Sequence, residues 1–139
     1  MMELKQIYQR FFNTGLIILI IIPTILLSQD PPVEFTFNQS TVQAFYLVNE
    51  VTLNGVLVEP DDWVAAFKGD VCVGAKQWDT SSCGGGICDL PVMGQDQAEF
   101  TESYMQAGDI PTFKIYDTSS NTRITLRPGS NVSMIVSKC

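Results

Sequence analysis

Two apolar runs flank a two-residue turn in the middle of the chain, between Trp63 and Trp78. The turn is Gly69-Asp70, and glycine supplies the positive φ that a type II′ turn requires at its first central position. The pattern therefore predicts a β-hairpin, and we expect the rest of the domain to be built around it.

This turn also predicts the register of the two strands. The expected opposite pairs are Lys68 and Val71, Phe67 and Cys72, Ala66 and Val73, Ala65 and Gly74, and Val64 and Ala75. Because side chains alternate along a strand, one face should carry Val64, Ala66, Val71, Val73 and Ala75, and the other Trp63, Ala65, Phe67, Cys72 and Trp78. Both faces are apolar, so the hairpin should lie inside a sandwich or between a second sheet and covering loops.

Alternating or β-branched segments elsewhere predict further strands. They are residues 33–37, 44–53, 56–59, 90–93, 112–117, 123–126 and 132–136. Asn54-Gly55 is a strong hairpin turn, Asp62 is expected to accept hydrogen bonds in a turn, and residues 94–107 should form an acidic loop anchored by Tyr104 and Met105. About eight short strands without a long amphipathic helix predict an all-β, antiparallel β-sandwich, with a small closed barrel as the alternative.

The first 28 residues follow a different pattern. Lys5 and Arg10 precede a twelve-residue apolar run, 16–27, and Ser28 follows it, which is typical of a secretory signal peptide. The run is shorter than the roughly 20 residues that span a bilayer, although retention as an uncleaved anchor is the alternative. We therefore expect a signal peptide at 1–28, a linker at 29–32, and a β-sandwich domain at 33–139, either complete or truncated at its C-terminus.

Charge and composition argue against several functions. From Gln29 onward the chain has six basic and fourteen acidic residues, a net charge of −8, which repels nucleic acid. The chain contains no histidine, the commonest general base and the commonest zinc ligand. No nucleophile motif or metalloprotease motif is present either, so we expect a protein that is not an enzyme.

Four cysteines behind an export signal indicate an oxidising compartment, either extracellular or at the cell surface. Cys83 and Cys88 enclose a glycine-rich loop whose ordering a local disulfide would assist, so this pairing is favoured over the other two. Cys72 is either a small buried hydrophobic residue or the partner of Cys139. The spacing does not favour a four-thiolate zinc site.

Two candidate ligand sites surround the glycine-rich loop. Asp79, Asp89, Asp96 and Glu99 supply oxygen ligands of the kind that calcium prefers, and solvated loop acids are the alternative. Trp78 and Tyr104 are the candidate ligand surface, as aromatic rings on which a sugar would stack, with burial in the core as the alternative. No metal site or other cofactor is predicted.

The segments GDVCVGA (69–75) and GDIPTFKIYD (108–117), together with VTLNG and CGGGICDLPVMG, resemble a small extracellular repeat module of large secreted or surface proteins of bacteria. The resemblance covers residues 35–121 and implies an all-β adhesive or scaffolding module without catalytic residues. Residues 94–97, GQDQ, depart from the more acidic turn expected there. Residues 123–139 depart from the usual continuation.

Together these observations predict a secreted, non-catalytic structural or adhesive module of a cell-surface or extracellular assembly. The alternative is a carbohydrate-binding module, which exposure of Trp78 and Tyr104 in one patch would favour, whereas a buried Trp78 would favour the structural module. The expected partners are other surface modules or glycans, without nucleic acid and without a membrane after signal cleavage. Self-association is expected through edge strands near Val33 and Val132.

Overall fold

A computed structural model describes residues 30–127 and 132–138, with side chains of the last strand described at positions 133–135. The predicted signal peptide and Cys139 lie outside the described residues. In the described residues, eight strands form two antiparallel sheets, which confirms the all-β sandwich. The strands are β1 (Gln43–Leu53), β2 (Val56–Leu57), β3 (Trp63–Lys68), β4 (Val71–Gln77), β5 (Cys88–Met93), β6 (Thr112–Asp117), β7 (Thr122–Thr125) and β8 (Val132–Lys138).

The first sheet is centred on β1. Strand β8 pairs with one side of β1, while β5 and β2 pair with successive parts of its other side. The second sheet has the order β4-β3-β6-β7. In the part of the chain that the structure describes, no helix has the length and apolar character needed to cross a membrane.

The central hairpin forms around Gly69, whose φ is 61° as a type II′ turn requires. Lys68 lies opposite Val71 and Phe67 opposite Cys72, as predicted. The other predicted pairs are wrong, because a β-bulge places Ala66 opposite Gly74 and shifts every later pair by one residue. The remaining pairs are Ala65 with Ala75, Val64 with Lys76, and Trp63 with Gln77.

The bulge also changes which face of the second sheet two residues occupy. Trp78 joins Val64 in the core between the sheets, instead of sharing a face with Phe67. Ala75 packs with Phe67 on the opposite face, instead of with Val64. One extra residue in a strand reverses the alternation of all positions beyond it, which accounts for both errors.

Apolar side chains occupy both faces of the second sheet, as predicted. The inner core lies between the sheets and contains Val48, Val51, Val64, Ala66, Val73, Trp78, Cys88, Leu90, Val92, Met93, Tyr104 and Ile115. The outer cluster lies on the other face and contains the buried residues Phe35, Ala65, Phe67 and Cys72, with Phe37, Trp63, Ala75 and Tyr116 packed against them.

Residues 33–37, which we call the N-terminal strap, cover the outer cluster. The predicted strand is wrong here: Val33–Phe35 is a 3-10 helix that follows Pro32, and the Thr36 hydroxyl donates to the Val33 carbonyl at 2.7 Å. The fully buried Phe35 ring meets Phe67 edge-on, with 5.6 Å between centroids. Burial of this ring, and not pairing with a strand, holds the strap on the sheet.

Other strands differ from the prediction mainly in their bounds. Strand β5 begins at Cys88 and not at residue 90, whereas β2 ends at Leu57 and not at residue 59. Residues 94–107 form the expected loop, interrupted by the 3-10 helix Glu99–Thr101. Further 3-10 helices, Thr80–Ser82 and Gly84–Gly86, lie between β4 and β5.

Candidate functional site

The two aromatic residues of the predicted ligand surface are buried. Trp78 is 3% exposed and Tyr104 is 4% exposed, and both belong to the inner core. The Tyr104 hydroxyl accepts from the Asn38 amide at 2.8 Å and donates to the Asn38 carbonyl at 3.3 Å. Neither ring presents a face on which a sugar could stack, so this pair does not form the expected surface.

The three cysteines that the structure describes form one disulfide and one free thiol. Cys83 and Cys88 form the disulfide that the sequence favoured, and it closes the loop that contains the Gly84–Gly86 helix. Cys72 is free and buried in the outer cluster, where its thiol lies 3.6 Å from the Gly74 carbonyl oxygen. Burial raises the pKa of the Cys72 thiol, so it behaves as the small buried hydrophobic residue that was one of the two expectations.

The four predicted carboxylates are separated by their local partners. Asp79 accepts from the Ser81 amide at 3.0 Å, and Asp89 pairs with Lys76 at 2.6 Å. Glu99 lies in the first turn of a 3-10 helix. Within residues 30–127 and 132–138, no group of three or more acidic, cysteine or histidine side chains converges as a metal site would require. The calcium cluster considered from the sequence is therefore not assembled by these carboxylates.

Asp96 has a structural role that sequence reasoning missed. One carboxylate oxygen accepts from the amide and the hydroxyl of Thr41, both at 2.9 Å, and from Ser40 at 3.1 Å. The other accepts from the Ala98 amide and the Thr101 hydroxyl, both at 2.9 Å. Hydrogen bonds from the Thr41 and Ala98 amides hold the pKa of Asp96 well below its usual range. This carboxylate ties the segment before β1 to the 94–107 loop.

A cleft of about 560 Å³ lies beside Asp96, between the start of β1 and the 94–109 segment. Its polar lining includes Gln43, Gln95, Gln106 and Asp109. The side-chain amide of Gln106 donates to the side-chain oxygen of Gln95 at 2.5 Å. The Asp109 carboxylate forms an ion pair with Lys68 at 2.8 Å. Three of these four polar side chains thus have protein partners already.

The first sheet exposes apolar side chains on the face that points away from the inner core. Phe45 is 38% exposed, Leu57 is 63% exposed and Ile135 is 55% exposed. They belong to β1, β2 and β8, so exposed apolar groups extend across the sheet as far as its β8 edge. This edge and the face beside it are the candidate contact surface of the domain.

None of the comparisons with protein-family models, curated proteins and solved structures gives a match to this chain. The function is therefore inferred from the sequence pattern and from the geometry of the described residues.

Proposed function

We propose that this domain is a non-catalytic structural or adhesive module that acts by contact within an extracellular or cell-surface assembly of bacteria. The observation that carries the proposal is the β8 edge of the first sheet, which adjoins a face with exposed Phe45, Leu57 and Ile135. Exposed apolar groups beside unpaired backbone donors and acceptors favour association with another protein surface.

The chemistry of the side chains supports contact over catalysis. Histidine is absent from the sequence, and the carboxylates Asp79, Asp89 and Asp96 are each held by nearby donors. A general acid or base needs a pKa near the working pH, whereas the pKa of each of these three groups is lowered.

The Cys83–Cys88 disulfide supports the proposed location. Disulfides persist in extracellular and periplasmic compartments and are rare in reducing ones. The basic and apolar pattern of residues 1–28 is in keeping with export.

A carbohydrate-binding module is the second candidate, and one observation favours it. The 560 Å³ cleft presents the amides of Gln43, Gln95 and Gln106, and amide groups are suited to hydrogen bonding with sugar hydroxyls. The burial of Trp78 and Tyr104 removes the two rings that the sequence offered for stacking, so the structural module remains the better supported function.

The test combines turnover assays with a glycan array, using the purified full chain. We expect no hydrolysis of ester, peptide or glycoside substrates, and no sugar ligand with or without calcium. A sugar ligand lost in Gln106→Ala, but kept in Gln97→Ala outside the cleft, would move the assignment to carbohydrate binding. Catalytic turnover by the pure protein would contradict both functions.

A further inference from the structure

Most sheet edges in the described residues are protected against pairing with another chain. Strand β2 has two residues, and β7 has four, with Arg123 paired to Glu34 of the N-terminal strap. Strands β4 and β5 pack against each other where Gly74 meets Pro91, and proline has no amide to donate. Short length, charge, proline and coverage are the devices that keep natural edges from pairing.

Strand β8 has little of this protection. It has seven residues and no proline, and its single charged residue, Lys138, is the last. It pairs with β1 from Val132 opposite Leu53 to Lys138 opposite Tyr46, and with no other strand that the structure describes. The irregularity in this pair falls in β1, between Val48 and Glu50, so β8 itself is an uninterrupted edge.

The sequence of β8 is suited to pairing with itself. In an antiparallel pair of identical strands, the register that uses all seven residues places Ile135 opposite Ile135 of a second copy. Ser133 then lies opposite Ser137 and Met134 opposite Val136, so residues of like polarity meet around the centre of the pair, while Val132 lies opposite Lys138 at each end. Residues that lie opposite each other share a face, so both inner cores would lie on the same side of the joined sheet.

The distribution of charge also favours this edge. Two copies of a domain with a net charge of −8 repel each other in most orientations. Strand β8 itself, however, carries no acidic residue. The two Lys138 residues would lie at opposite ends of the paired strands, roughly 20 Å apart at 3.3 Å per residue. Screening at physiological salt makes repulsion over that distance small.

We propose that β8 pairs antiparallel with β8 of a second copy, about a twofold axis at Ile135, and joins the two four-stranded sheets into one sheet of eight strands. This inference rests on the proposed function and names a second copy of the chain as the partner. The contact adds backbone hydrogen bonds along the edge and brings the exposed Ile135 side chains together at its centre.

Sedimentation of the purified full chain tests the pairing. We expect a reversible dimer with a dissociation constant on the order of 10 to 100 µM, as suits a small interface. Ile135→Lys replaces the apolar contact at the twofold axis with two charged side chains, each beside Glu50 of its own β1, and should raise this constant at least tenfold. The matched control is Ile110→Lys, an exposed apolar position before β6 and outside the first sheet, which should leave the constant unchanged.

A cross-linking experiment tests the register. In a Cys139→Ser background, Ile135→Cys treated with oxidised glutathione should give a disulfide-linked dimer, whereas Ile110→Cys should stay largely monomeric. A parent chain that is monomeric at about 500 µM would overturn the inference. Equal weakening by the two lysine variants, or equal cross-linking by the two cysteine variants, would overturn it as well.

These outcomes are separate from those that bear on the proposed function. A monomeric chain without turnover or sugar binding would leave the module in place, with its β8 edge available to a strand of a different protein. Turnover or sugar binding would contradict the proposed function, and the sedimentation result would still decide whether two copies pair through β8.

Discussion

Gly74 in β4 lies so close to Pro91 in β5 that a Cβ atom on Gly74 would be 1.8 Å from the Pro91 carbonyl oxygen. The two strands belong to different sheets, so this contact sets how closely the sheets approach along one side of the sandwich. The Gly74 backbone requires glycine because of this neighbour and not because of its own φ.

We therefore expect Gly74→Ala to lower the free energy of unfolding by about 2 kcal/mol or more, because the added methyl group would force the two strands apart. Chemical denaturation followed by circular dichroism would measure the change. Gly84→Ala is the control, since a Cβ at Gly84 would have no atom within 4 Å. Equal stability of the two variants would contradict the close packing of β4 on β5.

The hairpin turn gives a second prediction. Gly69 has a φ of 61°, which a β-branched residue adopts only with strain, so Gly69→Val should destabilise the protein by more than about 1 kcal/mol. A Cβ at Gly69 would meet no neighbouring atom, so the loss would come from the backbone. Asp70→Ala is the control in the same turn. A melting temperature for Gly69→Val equal to that of the parent would argue against the turn assignment.

The disulfide gives a third prediction. Peptide mapping without reductant should recover Cys83 joined to Cys88, and reduction should lower the free energy of unfolding by about 2 kcal/mol, as expected for so short a loop. The same reductant should leave the free energy of unfolding of a Cys83→Ala, Cys88→Ala double variant unchanged. Linkage of Cys83 to Cys72 or Cys139 would contradict the structure.

The hydrogen bonds to Asp96 give a fourth prediction, on acid stability. The folded pKa of Asp96 lies below its unfolded value of about 3.9, so its contribution is present above that pH and is lost as the pH falls below it. Asp96→Asn should be less stable than the parent at pH 7, and the difference should narrow between about pH 4 and pH 2.

Unfolding curves across this pH range would measure the effect. The control is Gln97→Ala, at an exposed and uncharged position of the same loop, whose stability relative to the parent should not change with pH. If the free energies of unfolding of Asp96→Asn and the parent differed by the same amount from pH 7 to pH 2, ionisation of Asp96 would not stabilise the fold.

Local signals in the sequence predicted much of the fold correctly. Gly69-Asp70 and Asn54-Gly55 both form turns with the expected positive φ, and Asp62 accepts from the amide of Glu59, three residues before it, as a turn acceptor should. Each of these features is decided by a few neighbouring residues, and therefore the sequence contains enough information to predict it.

Features decided by distant contacts were missed. No local residue pattern marks the bulge in β4, and the adjacent Gly74 packs against Pro91 of β5, 17 residues further along the chain. The apolar and polar residues of the strap are compatible with either a strand or a 3-10 helix. The packing of Phe35 on Phe67 is the contact that distinguishes the two. The role of Asp96 depends on Thr41, which lies 55 residues away along the chain. Only the local part of it follows a recognisable turn signal, because aspartate often accepts from the amide two residues later, as Asp96 does from Ala98.

The buried Cys72 thiol provides a chemical reporter for the N-terminal strap. It is 6% exposed in the cluster that Phe35 covers, so a thiol reagent can reach it only when the strap lifts or the domain unfolds. In a Cys139→Ser background, the rate of modification by such a reagent, compared with and without Phe35→Ala, would therefore measure how often the strap opens while the sandwich beneath it stays folded.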